Sequence, residues 1–218
     1  MIRIGIELNH VVRNVNKQIL KYYQKDIDPT LELDDIDEKD DAFKYAKFDS
    51  RADKNEFIYI DYPYEIFGCA KTMDKDLPSQ LNNWLSELTN YEEDDVEISF
   101  FSLNEESLTI QSTYFFLSKI GTRVRKVVFP KDFKDIANSL DVVITTDKNI
   151  LEELNEYIYK ILIETGYNDD AKELADKSYN SLGDVIADEE LLHKLHDFVE
   201  SDRCSNHLKN NDDSNNEK

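Results

Sequence analysis

The order of its apolar segments constrains the fold of this chain more than any other feature. Short runs rich in β-branched and aromatic residues predict four strands, at 2–8, 96–103, 123–130 and 141–147. Segments with apolar residues at helical spacing alternate with them, at 11–24, 77–90, 106–120, 131–138 and 149–164. The run Val142–Ile144 has no polar residue, which is typical of a strand buried on both faces. The alternation predicts an α/β fold with a doubly wound, mostly parallel sheet.

Two segments depart from this alternation. Residues 26–56 are strongly acidic and poor in apolar residues, which indicates an insertion or small cap with one short helix near 41–48. The aromatic run at 57–69 predicts an extended segment at a sheet edge, because Pro63 cannot donate a ladder hydrogen bond.

These boundaries divide the chain into three parts. We expect an α/β domain over 1–166 that includes the acidic insertion, a helical extension over 167–203, and a polar, disordered tail over 204–218. Glycine (5) and proline (4) are scarce, so long flexible linkers are not expected.

The net charge limits the partners that the protein can have. Lys and Arg total 26 against 47 Asp and Glu, which gives a formal net charge of −21. Binding to a nucleic-acid backbone or to an anionic membrane surface needs clustered basic residues, so we expect neither partner. The charge suits a solvated surface, a bound cation, or docking onto a basic protein.

Hydropathy and cysteine usage predict a cytoplasmic or otherwise intracellular protein. No run approaches the roughly 20 apolar residues of a membrane span, and the N-terminus lacks the layout of a signal peptide. The two cysteines, Cys69 and Cys204, have no metal-ligand spacing and indicate no disulfide framework. A reducing compartment is therefore expected.

Candidate functional residues follow the predicted strands, because ligands of open α/β sheets bind at the carboxyl ends of the strands. Four such segments are present, at Glu7–His10, Ser102–Asn104, Pro130–Lys134 and Thr145–Lys148. Each contains hydroxyl, amide or charged side chains. They are the positions where a site is expected.

The layout at these four strand ends, over about 2–166, resembles the haloacid-dehalogenase-like (HAD-like) phosphohydrolases, and among them the small deoxyribonucleotidases. That family carries Asp-x-Asp after the first strand, with a nucleophile and then a general acid/base. A Ser or Thr and a Lys hold the phosphate, and two later acidic residues bind Mg²⁺ with the nucleophile. The resemblance implies the following positions: Glu7 for the nucleophile, Asn9 for the acid/base, Ser102 and Lys131 (or Lys134) for phosphate, and Glu7 with Asp147 for metal.

The sequence departs from the family pattern in three places. Glu7 is one methylene longer than Asp, which displaces a nucleophile from in-line attack. Asn9 cannot exchange protons as a general acid/base. Thr145-Thr146 stands where the acidic pair is expected, which removes anionic ligands of Mg²⁺. We interpret the pattern as a scaffold with degenerate catalytic positions.

The expected function is therefore non-catalytic: a HAD-like scaffold that binds a protein partner or self-assembles, without a cofactor. The richness in Asn, Lys, Ile, Tyr and Asp indicates an AT-rich genome and would suit a virion or accessory protein. The alternative is a divergent Mg²⁺-dependent phosphohydrolase acting on nucleoside monophosphates or other small phosphate esters, with Glu7 and Asp147 as metal ligands.

Other residues favour structural roles. We expect His10 to be a loop histidine rather than a base, and His193 and His196 to be solvent-exposed rather than metal ligands. The acidic residues at 34–41 lack the glycine and the terminal Glu of a calcium loop. Cys69 has no evident base. The aromatic residues of 57–69 are expected to pack in the core, with an interface patch as the alternative.

Overall fold

The computed structural model describes residues 2–37, 39–90, 96–191, 193–195 and 197. Its strands are β1 Ile2–Glu7, β2 Arg13–Asn14, β3 Lys71–Thr72, β4 Val96–Phe101, β5 Lys126–Val128, β6 Val142–Thr145, β7 Tyr159–Ile163 and β8 Lys177–Tyr179. The helices are α1 Val15–Asp26, α2 Arg51–Glu56, α3 Leu77–Asn90, α4 Ser107–Ile120, α5 Lys134–Ala137, α6 Lys148–Glu153 and α7 Leu182–Ile186. Short 3-10 turns lie at Leu33–Asp35, Ala42–Lys44 and Asp169–Leu174, and π-helical turns at Phe57–Asp61 and Tyr64–Gly68.

Six strands form one parallel sheet in the order β5-β4-β1-β6-β7-β8. From β1 the chain adds β4 and then β5 toward one edge of the sheet. It then returns to the other side of β1 and adds β6, β7 and β8 toward the opposite edge. The strand order therefore reverses between β1 and β6, which is where such sheets place their ligand crevice. The predicted parallel α/β sheet is confirmed. The two-residue strands β2 and β3 form a separate antiparallel pair.

Helices cover both faces of the sheet, as the doubly wound prediction requires. One layer packs Ile4 and Ile6 of β1 against apolar residues of α3, α4 and α7. The opposite layer packs Phe101 and Val143 against α5 and α6. Successive side chains of a strand point to opposite faces. Accordingly Val142–Ile144 is buried throughout, which confirms the interpretation of its apolar run.

The acidic insertion belongs to a small cap with its own apolar core. Apolar residues of α1 pack there against the segments that follow: Val15, Ile19, Leu20, Tyr23, Ala42, Ala46, Phe57, Ile58, Ile66 and Phe67. The helix expected near 41–48 is only the 3-10 turn Ala42–Lys44, and α2 follows it.

The extended segment predicted at 57–69 is wrong. This run forms the two π-helical turns, which bury Phe57, Ile58, Ile66 and Phe67 in the cap core. The prediction that its aromatic residues pack in a core is confirmed for these phenylalanines. Packing outweighs strand propensity here, because aromatic residues are favoured wherever the surface is half-buried and do not require an extended backbone.

One helical prediction in the C-terminal part is also wrong, and a second is incomplete. The helix expected over 149–164 ends at Glu153, and β7 follows it. The helical extension expected over 167–203 contains α7 and helical residues at 189–191, but β8 precedes them, so the sheet reaches Tyr179. Ile158, Ile161 and Leu162 fit helical spacing as well as a buried strand, and periodicity alone does not separate the two. The tail predicted at 204–218 lies outside the described residues.

The helices are short. The longest in the described part of the chain, α3 and α4, have 14 residues each. None of the helices described is long and apolar enough to cross a membrane. Gly121 ends α4 in the left-handed conformation (φ 67°), as its position after the last helical residue predicts.

Candidate functional site

Glu7 lies at the end of β1, beside the end of β6, at the point where the strand order reverses. Its Oε2 accepts hydrogen bonds from Thr145 Oγ1 at 2.6 Å, from the Thr146 backbone N–H at 3.1 Å and from Thr146 Oγ1 at 3.4 Å. The residue is 9% exposed. The two strand ends therefore meet, and Thr145-Thr146 binds the carboxylate directly.

Burial dominates the acidity of Glu7. It raises the pKa of the carboxyl group from its usual 4.5 to about 7, and the charge of Asp147 adds to the rise. The hydrogen bonds from Thr145 and Thr146 oppose the rise because they favour the ionised form. Near neutral pH the group is therefore divided between its protonated and ionised forms.

A polar network begins two residues beyond Glu7, at the half-buried Asn9, and its other members are buried. Arg13 Nη2 donates to Glu105 Oε1 at 2.6 Å, and both side chains are 0% exposed. The Ser102 hydroxyl donates to the same Glu105 oxygen at 2.6 Å and accepts from Asn9 Nδ2 at 3.1 Å. Asn9 Oδ1 accepts from Arg13, from Nε at 3.1 Å and from Nη2 at 2.6 Å. Thr113 Oγ1 accepts from Arg13 Nη1 at 2.6 Å and donates to Glu105 Oε2 at 2.5 Å.

Arg13 is the centre of this network. Its Nη1 also donates to the Phe67 carbonyl at 3.3 Å, and its guanidinium carbon lies 4.9 Å from the Phe67 ring centroid and 5.5 Å from that of Phe116. Burial lowers the pKa of Arg13, while the charge of Glu105 raises it. A buried guanidinium is costly without its partner, so Glu105 and Arg13 depend on each other.

The network occupies the position that the resemblance assigns to phosphate. The Ser102 hydroxyl donates its one hydrogen to Glu105 and accepts from Asn9, so its donor is used within the protein. An anion placed there would meet the Glu105 carboxylate, which shares the hydroxyl. Lys131, the predicted cationic partner, is exposed and makes no hydrogen bond or ion pair within the part of the chain that the structure describes. Lys134, the second candidate, forms an ion pair with Glu153, with 3.7 Å between Nζ and Oε1.

Both predicted metal ligands, Glu7 and Asp147, make hydrogen bonds within the protein. Asp147 caps α6, and its Oδ1 accepts from the Asn149 backbone N–H at 2.8 Å and from Asn149 Nδ2 at 3.0 Å. Among the described residues, no group of three His, Cys, Asp or Glu side chains could hold a metal ion. Mg²⁺ prefers carboxylate and water oxygens in near-octahedral geometry. Where that donor set would have further carboxylates, Thr145 and Thr146 donate hydroxyl hydrogen bonds to Glu7.

A cavity beside the strand ends has an acidic lining. It has a volume of about 160 Å³ and lies between the insertion, His10 and the ends of β7 and β8. Asp37, Asp74 and Glu164 line it, and the Lys39 ammonium beside them donates to the Asn180 carbonyl at 2.9 Å. This lining disfavours a phosphate ester.

His10 has the left-handed backbone conformation that favours glycine. Its φ is 67°, and its backbone N–H donates to the Arg13 carbonyl at 2.8 Å, which closes the turn after β1. Burial lowers the pKa of His10 from its usual 6.5 to about 4, so the imidazole is neutral at pH 7. The ring meets Tyr167 edge-on at 6.5 Å between centroids. The structure thus gives His10 a role in forming the turn after β1.

Replacing His10 with glycine will leave the free energy of unfolding unchanged or raise it by up to about 1 kcal/mol, because glycine adopts this φ without strain. Replacing it with valine will lower the value by at least about 1 kcal/mol, since a β-branched side chain is strained at this φ. Urea denaturation at neutral pH measures both. Asn104, at φ 60°, is the control: Asn104→Gly should change little. A large loss in His10→Gly would show that packing on Tyr167 outweighs backbone strain.

The remaining predicted candidates gain no functional partners. His193 is an exposed helical residue, and His196 lies outside the described residues. The acidic residues at 34–41 bind their own segment: Asp37 accepts from the Lys39 backbone N–H and Asp40 accepts from Tyr45. Cys69 is a half-buried free thiol.

Arg13 and Glu105 were not among the candidates predicted from sequence. Arg13 carries one signal, a charged residue inside the apolar stretch from Val11 to Val15. Glu105 carries none, since it stands in a polar loop before α4. The pairing joins residues 92 positions apart, which no local pattern reveals.

Comparison with models of protein families finds no match, and comparison with curated proteins finds none either. Among solved structures, the chain is similar to a haloacid dehalogenase-like hydrolase from Burkholderia xenovorans LB400, with a TM-score of 0.50 and 12% sequence identity. The similarity covers 86% of this chain and 96% of that one. The fold is therefore an α/β fold with a HAD-like Rossmannoid core, and a shared fold does not carry an activity with it. The deoxyribonucleotidase branch stays a prediction.

Proposed function

We propose that the protein is a non-catalytic HAD-like scaffold that binds a protein partner or assembles with itself. The buried ion pair of Arg13 and Glu105 carries this proposal. It engages Ser102, the hydroxyl that the resemblance assigns to phosphate binding. A phosphate ester that binds the Ser102 hydroxyl has to displace the hydrogen bond to Glu105 and approach a buried carboxylate of like charge.

The two positions of the Asp-x-Asp motif support the same proposal. The Oε2 of Glu7, at the nucleophile position, accepts three hydrogen bonds from Thr145 and Thr146. The amide of Asn9 is bound to Ser102 and Arg13. Both side chains therefore serve internal hydrogen bonds.

The charge of the chain guides the proposal about its partner. A net charge of −21 disfavours nucleic acid and anionic membranes, and it leaves protein surfaces as the partner class. We place the protein in the cytoplasm or in a virus particle on the basis of composition alone.

Release of inorganic phosphate from deoxyribonucleoside monophosphates, measured with Mg²⁺ present, tests the proposal. We expect the wild-type protein, Glu7→Gln and the surface control Glu97→Gln to give the same background rate. Glu97 is a suitable control because it forms an exposed pair with Lys126 at 2.7 Å. Turnover by the wild-type protein and by Glu97→Gln that is lost in Glu7→Gln would instead establish the Mg²⁺-dependent phosphohydrolase.

A further inference from the structure

The outer face of α4 exposes a cluster of large apolar side chains. Leu108, Tyr114 and Phe115 of this helix are 55%, 53% and 44% exposed, and the neighbouring Tyr64 is 46% exposed. The Tyr64 and Phe115 rings lie 5.1 Å apart, and the Tyr114 ring meets Phe129 at 5.7 Å. We call these five residues the α4 face. Large apolar side chains exposed on one helix and beside it mark interaction sites more often than single exposed residues do.

Three residues of the α4 face, Leu108, Tyr114 and Phe115, lie on a helix without acidic residues. Asp and Glu make up 47 of 218 residues, a proportion that would give about three in a 14-residue helix, yet Ser107–Ile120 contains none. Its one charged residue, Lys119, donates to the Gly68 and Ala70 carbonyls at 3.1 and 2.7 Å. This neutral helix belongs to a chain whose net charge is −21.

The α4 face rests on close packing below it. A Cβ atom at Gly68 would lie 3.1 Å from the Tyr64 ring and 3.4 Å from the Phe115 ring, so glycine allows both rings to pack over this turn. On the buried side of α4, Thr113 and Phe116 are 0% exposed. A supported aromatic surface loses little conformational entropy on binding.

We infer that the α4 face binds the α4 face of a second copy of this chain, in a two-fold symmetric homodimer. This inference rests on the proposed function and names self-assembly as its form. Two copies that each carry −21 repel each other wherever acidic side chains meet. A helix free of acidic residues lets them approach with fewer like charges in contact than the rest of the surface allows. A basic partner would choose the acidic surfaces instead.

Helix geometry sets the contact within this dimer. Leu108 and Phe115 are seven residues apart, about two helical turns, so they lie on one stripe of α4 with Gln111 between them. In an isologous interface residue i contacts residue j of the partner, and residue j contacts residue i of the partner. Antiparallel α4 helices crossing near Gln111 bring Leu108 of each copy onto Phe115 of the other.

Sedimentation equilibrium across a wide range of protein concentrations tests the dimer. We expect a wild-type dimer that tightens as salt is raised, because salt screens the repulsion between the copies. Phe115→Glu should raise the dissociation constant at least about tenfold. Ile27→Glu, which alters a 49% exposed residue after α1, should leave it unchanged. A monomeric wild-type protein at every salt concentration, or a dimer insensitive to Phe115→Glu, would overturn the inference.

Mixing two charged variants tests the two-fold arrangement and does not depend on either variant dimerising alone. Leu108→Lys and Phe115→Glu should each be monomeric at concentrations where the wild-type protein is dimeric. Their equimolar mixture should form a heterodimer, with one Lys–Glu contact and one native Leu108–Phe115 contact. Circular dichroism confirms that both variants are folded. A mixture that stays monomeric would overturn the proposed contact, whatever the phosphate-release assay shows.

Discussion

Replacing Glu105 with alanine will lower the free energy of unfolding by about 3–5 kcal/mol, the largest single-residue effect that we expect. The substitution leaves the Arg13 guanidinium fully buried without its counter-charge. It also removes the acceptor of the Ser102 and Thr113 hydroxyl groups. Chemical denaturation followed by far-UV circular dichroism measures the loss.

Two comparisons show whether this loss comes from an uncompensated charge. Replacing both partners, Arg13→Met with Glu105→Leu, should recover much of the stability, because burying neither charge avoids the desolvation cost. Glu97→Ala, which breaks the exposed pair with Lys126, should cost no more than about 1 kcal/mol. If Glu105→Ala lowers the free energy of unfolding no more than Glu97→Ala does, the buried pair does not stabilise this region in the way we describe.

Glu7→Gln will make the protein more stable than wild type above pH 7, by about 3 kcal/mol, and the difference will vanish toward low pH. The pKa of Glu7 is raised from 4.5 to about 7 by burial, so between these pH values the folded state binds more protons than the unfolded state. The wild-type contribution of Glu7 is therefore fully present below pH 4.5 and is lost as pH rises through 7. Glutamine stays neutral and keeps an oxygen acceptor for Thr145 and Thr146.

The difference between variants is the quantity to measure, because another group opposes Glu7 over the same pH range. The pKa of His10 is lowered to about 4, so its contribution is lost as pH falls from 6.5 to 4. The two contributions partly cancel in the wild-type profile. They separate when the denaturation free energies of wild type and Glu7→Gln are subtracted at each pH.

Asp147→Asn provides the matched control for the acidity of Glu7. Asparagine keeps the cap of α6, and it removes the charge that adds to the rise of the Glu7 pKa. The pH range of the Glu7 effect should therefore move to lower pH in this background. A stability difference between wild type and Glu7→Gln that does not depend on pH would contradict the assignment of a raised Glu7 pKa.

The strands of the sheet could be predicted where the residue pattern of a segment fits only one type of secondary structure. The run Val142–Ile144 fits a buried strand and was placed correctly, as was β1 with Glu7 at its end. The apolar spacing of Tyr159–Ile163 fits a helix equally well. Pairing with β6 and β8 in the sheet makes this segment a strand. The turns at 57–68 depended on the core of the cap in the same way.

The candidate site was predictable only in part, because strand ends can be located in a sequence and long-range pairs cannot. The meeting of Glu7 with Thr145-Thr146 follows from parallel strands whose carboxyl ends share one edge. The pairing of Arg13 with Glu105 follows from the way α4 packs beside the turn after β1, and nothing local to either residue specifies it. The residues that fill the phosphate position were therefore missed.

Binding of inorganic phosphate to the wild-type protein tests the central claim most directly. Thermal unfolding is followed as phosphate replaces chloride at constant ionic strength, so that screening does not change. We predict an unchanged Tm for the wild-type protein, because Ser102 and Arg13 already donate hydrogen bonds to Glu105. We predict a rise for Glu105→Ala, whose unpaired guanidinium would gain an anion. A rise in the wild-type Tm that Ser102→Ala abolishes would contradict the claim and show an open phosphate site.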